Sequence, residues 1–375
     1  MDSPRISIVI PVYNAAKDQN LMFLVDSLNL QTVNNFEVIF CNDGSDDNTS
    51  ELLENIIQKN SCFKALNLEH HGVSHARNKG IEAAIGKWIT FIDADDIIAP
   101  DFVESFMQYD GEYDLLCCGY AIISNSIPTF KNYSHAIYNG IDNLNCLLGN
   151  TEFLHRCSPW SKCFRHKTLI DNNIRFNECL SHSEDRLFFY NYLLFTNVIV
   201  TIPKILYFYS CLSATSLKHK HHPIDMLYRR QSLMTKNAIK LCQQYNLNKF
   251  QRKYIYINLA NLVKDSISSI YVDFGYSHKT LRIQQDFLNE FLNNLKQLDS
   301  LREYIKMIMS SDKEIQFIVN NKLKKLDRYY LSLKIKISIS KLINKISRRK
   351  GKHTLLGESF RLINNEYYTG CSNQV

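Results

Sequence analysis

The sequence predicts an α/β protein with a doubly wound, mostly parallel sheet, helices on both of its faces, and a mainly helical C-terminal region. Three observations predict it. Short runs rich in β-branched residues alternate with helical patterns through the first hundred residues. These runs are apolar at nearly every position, as a strand covered on both faces requires. Past about His222 the chain becomes poor in Gly and Pro and helical in pattern.

Ile6 to Ile10 is the first such run, and Leu21 to Leu30 reads as a helix. Phe36 to Cys41 is a second strand, closed by the turn-rich Asn42-Asp43-Gly44-Ser45. Asn48 is expected to cap the next helix, with Glu51 three residues on, close to a capping-box spacing. Lys64 to Leu68 is a weaker third strand. Val73, Ala76, Gly80, Ala83 and Ala84 give the following helix a small-residue face that can lie close against a sheet. Trp88 to Ile92 is a fourth strand and runs directly into Asp93-Ala94-Asp95-Asp96. Such alternation implies one α/β layer. From Asp101 to Ser216 the pattern is mixed, with a helix over Glu184 to Leu194 and an aromatic strand around Ile205 to Tyr209. A soft boundary follows near residue 220.

The 375 residues suffice for two domains, or for one large domain with an appendage. Eleven cysteines are an odd number, and no Cys-x-x-Cys occurs, so they read as small buried hydrophobes in a reducing compartment. Ile6 to Ile10 is too short for a secretory leader, lacks a basic region before it, and is ended by Pro11. No stretch reaches the roughly 18 apolar residues of a membrane span; the richest, Tyr190 to Cys211, is broken by Asn191, Asn197, Pro203 and Lys204. A cytoplasmic location is the expectation. The net charge of +7 is uneven: Lys322 to Lys352 holds twelve Lys or Arg against Asp327 alone, a local +11 that leaves the remainder near −4.

Ligands of open α/β sheets bind outside the carboxyl ends of the strands. Here those ends carry Pro11-Val12-Tyr13-Asn14, Asn42-Asp43-Gly44 and Asp93-Ala94-Asp95-Asp96. Three carboxylates within four residues repel one another, and a divalent cation shared with substrate phosphates relieves that repulsion; hard oxygen donors suit Mg²⁺ or Mn²⁺. The plain alternative is that Asp95 or Asp96 caps the helix beginning near Pro100. Neither Gly-x-Gly-x-x-Gly nor a Gly-Lys-Ser/Thr loop is present, which argues against a dinucleotide dehydrogenase, a P-loop enzyme and a sugar nucleotidyltransferase.

Five segments in order resemble the motifs of glycosyltransferase family 2: Ile6-Ser-Ile-Val-Ile-Pro-Val-Tyr-Asn14, Ser27-Leu-Asn-Leu-Gln-Thr32, Asn42-Asp-Gly-Ser45, Gly72-Val-Ser-His-Ala-Arg-Asn78 and Phe91-Ile-Asp-Ala-Asp-Asp96. The likeness is close over about 110 residues, continues loosely through Pro159 to Arg165 and Ser183 to Phe188, and fades after about residue 220. It implies a GT-A fold over 1–220, with 1–110 binding the nucleotide sugar and 111–220 the acceptor, and a helical region over 221–375. It also implies an inverting, metal-dependent enzyme that takes a nucleotide-diphosphate sugar, UDP-linked by expectation. Pro11, Val12 and Tyr13 would line the base and Asp43 would accept from it. Arg77 would hold the nucleotide or support Asp43. Asp93 would contact the ribose, Asp95 the Mn²⁺ or Mg²⁺, and Asp185 would be the catalytic base.

Other readings stand beside these. Glu184-Asp185 also suits an ordinary acidic helix start; Glu184 and Trp160 are candidate acceptor contacts, and Trp160 equally suits core packing. His70, His71, His219 and His221 read as solvated loop residues, although some GT-A enzymes take a late histidine as a metal ligand. The basic tail suits contact with an anionic membrane, or a solvated helix face; nucleic acid is not an expected partner, as no accompanying motif is present. The expected role is transfer to a glycan or lipid-linked saccharide in surface polysaccharide synthesis. The rival is a non-catalytic sugar-nucleotide or glycan-binding scaffold.

Overall fold

The computed structural model describes residues 4–247 except 18, 125–126, 149–152, 154–156 and 212–223, together with Arg252, Ile255 and Leu259. All of these lie within one unit, Met1–Leu262. The readings made for His219, His221 and the basic tail fall outside the described residues.

Four parallel strands form the first half of the sheet: β1 (Ile6–Val12), β2 (Phe36–Asn42), β3 (Phe63–Asn67) and β4 (Trp88–Phe91), in the spatial order β3-β2-β1-β4. All residues of β2 and β4 are buried, which explains their unbroken apolar runs. Helices α1 (Asn20–Asn29) and α2 (Thr49–Ile57) cover one face. Leu21, Leu24, Leu28 and Leu53 join Ile6, Ile8 and Ile10 there in a single apolar cluster. Helix α3 (Val73–Ala83) covers the other face, where Gly80 presses against the sheet: a Cβ on it would sit 2.2 Å from Val9 Cγ1. The small-residue face expected for this helix is therefore its contact with the strands. One local expectation needs correction. Asn48 sits at the start of α2 but its side chain makes no capping bond; Asp47 Oδ1 instead accepts from Thr49 N at 3.0 Å.

The second half of the sheet is mixed. The short β5 (Ile97–Ile98) and α4 (Phe102–Met107) precede β6 (Leu115–Ile123), β7 (Thr129–Lys131), β8 (Ala136–Asn139) and α5 (Gly140–Leu148). Then come β9 (Lys162–Arg165), α6 (His166–Asp171), α7 (Glu184–Leu193), β10 (Val198–Ser210) and α8 (Ile224–Gln244). The order continues β4-β9-β6-β10-β5, with β9 antiparallel to both neighbours. Pro203 and Lys204, which break the apolar run Tyr190 to Cys211, lie in the register shift of one 13-residue strand, where a bulge accommodates the missing N–H. Phe91, Phe164, Phe176 and Phe188 interlock on the α3 face and seat α7 against the sheet, with Phe176 and Phe188 stacked 3.9 Å apart. Among the described residues no helix is long and apolar enough to cross a membrane.

The ten described cysteines are all free. Burial pushes the Cys41 and Cys117 thiols up to about 12, so they serve as inert packing groups.

Candidate active site

The carboxyl ends of β1, β2 and β4 lie side by side, with Val12 opposite Asn42 and Val9 opposite Phe91. Asn42 shapes the turn after β2. Its amide donates to Asn67 Oδ1 at 3.0 Å and Ser50 Oγ at 2.8 Å, while its carbonyl oxygen accepts from Ser45 Oγ at 2.6 Å. Gly44 sits at φ +63°, and a Cβ there would come within 2.6 Å of His70 N, so only glycine fits.

Asp43 is thereby turned inward, 3% exposed. Its Oδ1 accepts from His71 N at 3.0 Å and Gly72 N at 3.1 Å; its Oδ2 accepts from Gly72 N at 2.9 Å and meets His70 Nδ1 at 2.9 Å. The carboxylate therefore ties the end of β2 to the loop that starts α3. His70 is the exposed loop residue expected, its side chain 55% exposed, and its ring also stacks on Tyr13 at 4.3 Å. Tyr13 is 48% exposed, whereas Val12 is buried and its carbonyl accepts Asp43 N. Pro11 is half-buried on the same strand end.

Arg77 does not support Asp43. It lies five residues past Gly72, roughly a turn and a half along the helix, and so it reaches the end of β4. Its Nη2 donates to Asp93 Oδ1 at 2.7 Å, and Nη1 lies 3.7 Å from Glu184 Oε1. The guanidinium also lies over the Phe176 ring at 5.2 Å. Phe176 is fixed in turn by Asn78, which exchanges hydrogen bonds with its N and O at 2.8 and 2.9 Å. The buried cation therefore joins two acidic motifs that lie far apart in sequence.

Glu184 and Asp185 open α7, and Ser183 precedes them in the left-handed region at φ +66°. Asp185 is half-buried, and its Oδ1 accepts from Arg186 N at 2.6 Å. Glu184 is buried, and burial, reinforced by Asp185, raises its carboxyl to about 7 against the opposing pull of Arg77. It faces Arg77. Trp160 takes the core-packing alternative: it is 5% exposed and stacked on Tyr207 and Tyr209 at 4.9 and 5.1 Å.

Neither Asp95 nor Asp96 caps a helix, since Asp101 occupies the position before α4. Asp96 is fully buried, accepting from Tyr207 OH and from Ser210 N at 2.7 Å; burial, with Asp93 adding repulsion, raises its carboxyl to about 9. Asp93 and Asp95 remain half-buried beside it. Two half-buried carboxylates at one strand end form a donor set that fits Mg²⁺ or Mn²⁺, which commonly takes one or two carboxylates and completes its shell with phosphate oxygens and water. No group of three or more His, Cys, Asp or Glu ligands occurs among the described residues.

Comparison with known proteins fits this geometry. The family model described as Glycosyl transferase family 2 matches residues 7–169. EpsH of Bacillus subtilis (strain 168), described as a glycosyltransferase, is 31% identical over 56% of this chain and 61% of its own length. The uncharacterized glycosyltransferase YibD of Escherichia coli (strain K12) is 32% identical over 48% of this chain and 54% of its own. The chain thus spans little more than half the length of these relatives. A teichoic acid poly(glycerol phosphate) polymerase of Staphylococcus epidermidis is 24% identical over 82% of this chain and 43% of that protein. Among solved structures, S. aureus TarS 1–349 in complex with UDP-GlcNAc superposes with a TM-score of 0.59 at 20% identity, covering 94% of this chain and 93% of the other. The GT-A fold expected from the sequence is therefore the fold of the described residues.

Proposed function

We propose that this chain, whose residues 7–169 match the glycosyltransferase family 2 model, moves a sugar from a UDP-sugar to a hydroxyl of a glycan or lipid-linked saccharide, with inversion, in surface polysaccharide synthesis. The observation that carries the reading is Arg77, which bridges Asp93 at 2.7 Å and Glu184 at 3.7 Å and so brings the two acidic motifs into one site. Two related structures, S. aureus TarS 1–349 in complex with UDP-GlcNAc and with UDP, support the choice of nucleotide.

In this reading Tyr13, backed by the His70 ring stacked on it, lines the base together with Pro11 and Val12, and Asp43 accepts from the base. Asp93, its orientation set by Arg77, contacts the ribose. Asp95 holds Mn²⁺ or Mg²⁺, which when bound offsets the charge of the departing diphosphate. Asp185 takes the proton of the acceptor hydroxyl as it attacks the anomeric carbon from the face opposite the diphosphate. The new glycosidic bond forms as the bond to the diphosphate breaks, and one displacement inverts the centre. Glu184, buried against Arg77, orients rather than reacts. The basic stretch Lys322 to Lys352 brings the chain to an anionic membrane surface where lipid-linked acceptors lie.

The test is a panel of nucleotide sugars with the purified full chain, Mn²⁺, and glycan or lipid-linked acceptors. Transfer, or hydrolysis of a UDP-sugar in the absence of acceptor, is expected. Neither activity with any donor would leave the non-catalytic scaffold in its place.

A further inference from the structure

We infer that Tyr207 is a positioning residue for the Asp93–Asp96 turn, and that Trp160 acts on the site by holding Tyr207 in place. The geometry stands by itself; its consequence for turnover rests on the glycosyl-transfer reading.

Tyr207 lies on β10, fully buried. Its hydroxyl accepts the Asp93 N–H at 3.3 Å and donates to Asp96 Oδ2. The other oxygen of Asp96 accepts from Ser210 N at 2.7 Å, and Asp96 N closes the turn onto Asp93 O at 3.1 Å. One residue further on, Ile97 and Ile98 pair with Phe208 and Tyr207 in the ladder between β5 and β10. The turn is thus bound to β10 at its first and last residues, leaving only Ala94 and Asp95 between the two anchor points. A phenol can do this because it accepts and donates at one atom; phenylalanine offers neither function.

The ring itself cannot drift. Trp160 lies parallel to Tyr207, 7° apart in plane at 4.9 Å, while Tyr120 meets Trp160 edge-on at 5.0 Å. The indole that sequence reasoning offered to the acceptor thus acts through a tyrosine and a backbone turn. Groups that orient a metal-holding carboxylate without touching the metal commonly change metal affinity about 10–100-fold when lost.

Tyr207→Phe keeps the ring and its stacking and removes one oxygen. The matched control is Tyr192→Phe at the opposite edge of the sheet. That hydroxyl accepts from Arg165 N at 2.8 Å and donates to Asp114 O, so its removal costs a comparable set of bonds. Three quantities are compared: half-saturating Mn²⁺, the donor KM against kcat, and amide hydrogen exchange over residues 93–98. Tyr207→Phe is expected to raise half-saturating Mn²⁺ and donor KM about tenfold, with kcat within about threefold, and to speed exchange in the turn. Tyr192→Phe is expected to lower Tm similarly and to leave all three unmoved. Equal Tm losses with Mn²⁺ dependence, KM and turn exchange unchanged in both would overturn the role of Tyr207. Trp160→Leu is expected to shift the three quantities in the same direction as Tyr207→Phe; wild-type values in that variant would remove Trp160 from the proposal. A wild-type chain without activity on any donor would end the glycosyl-transfer reading, and exchange over 93–98 would still decide the positioning.

Discussion

The two edges of the sheet carry similar charges in opposite settings. At the carboxyl edge Arg77 is 6% exposed, with Asp93 at 28% and Glu184 at 12%. At the amino edge Arg5 and Lys87 meet Asp110, which is 70% exposed, and Arg165 meets Glu112, which is 80% exposed. Water screens the second group, and such pairs contribute about 0–1 kcal/mol each. The first group is largely out of water, so removing Arg77 leaves two carboxylates without their shared cation. Contact lists alone make the two edges look alike. Burial separates them, and only one edge is built to hold charge in a fixed place.

The largest expected effect tests whether that difference is chemical. Asp185→Asn, at the half-buried helix start beside this network, is expected to lower kcat about 10²- to 10⁴-fold while UDP binding, read by calorimetry, stays at the wild-type value. Undiminished turnover would remove Asp185 as the base.

Next comes stability. Arg77→Met is expected to cost about 3–5 kcal/mol in denaturant unfolding, the range for breaking a buried pair on one side. A loss under about 1 kcal/mol would place the Arg77 network in the same class as the amino edge.

A subtler contrast lies in pH. Burial raises the Glu184 carboxyl to about 7 from an ordinary 4.5. Between these values the folded chain holds a proton that the unfolded chain has released. Stability is therefore present in full below about 4.5 and falls as pH rises through 7. Glu184→Gln lacks this dependence, so its Tm relative to wild type is expected to improve from pH 5 to pH 8. Parallel Tm curves would count against a protonated Glu184.

The smallest effects belong to the amino edge. Asp110→Asn and Glu112→Gln are expected to change stability by about 0.5 kcal/mol or less and to leave turnover unaffected. A loss above 1 kcal/mol in either would erase the contrast between the edges.

Much of the carboxyl edge was legible beforehand. The buried strands announced themselves as apolar runs, and the turn after β2 followed from Asn42-Asp43-Gly44-Ser45, whose side chains satisfy one another locally. What was not legible involved partners distant in sequence. The resemblance implied that Arg77 holds the nucleotide or supports Asp43, and helix geometry sends its side chain to Asp93. His70 had no signal beyond adjacency to the Gly72 motif. Asp96 resembled its two neighbours in sequence, and only the approach of Tyr207 and Ser210, more than a hundred residues on, makes it a buried anchor.

By itself the sequence determined the parallel half of the sheet, the residues standing at its strand ends and the family they resemble, because strand burial, turn chemistry and motif spacing are written within a few residues of one another. Tertiary structure alone decided the insertion of β9 between β4 and β6, the partners of Arg77, and the burial of Trp160 against Tyr207. Those outcomes depend on which distant surfaces exclude water together, and a side chain's role as anchor or contact is settled by what covers it.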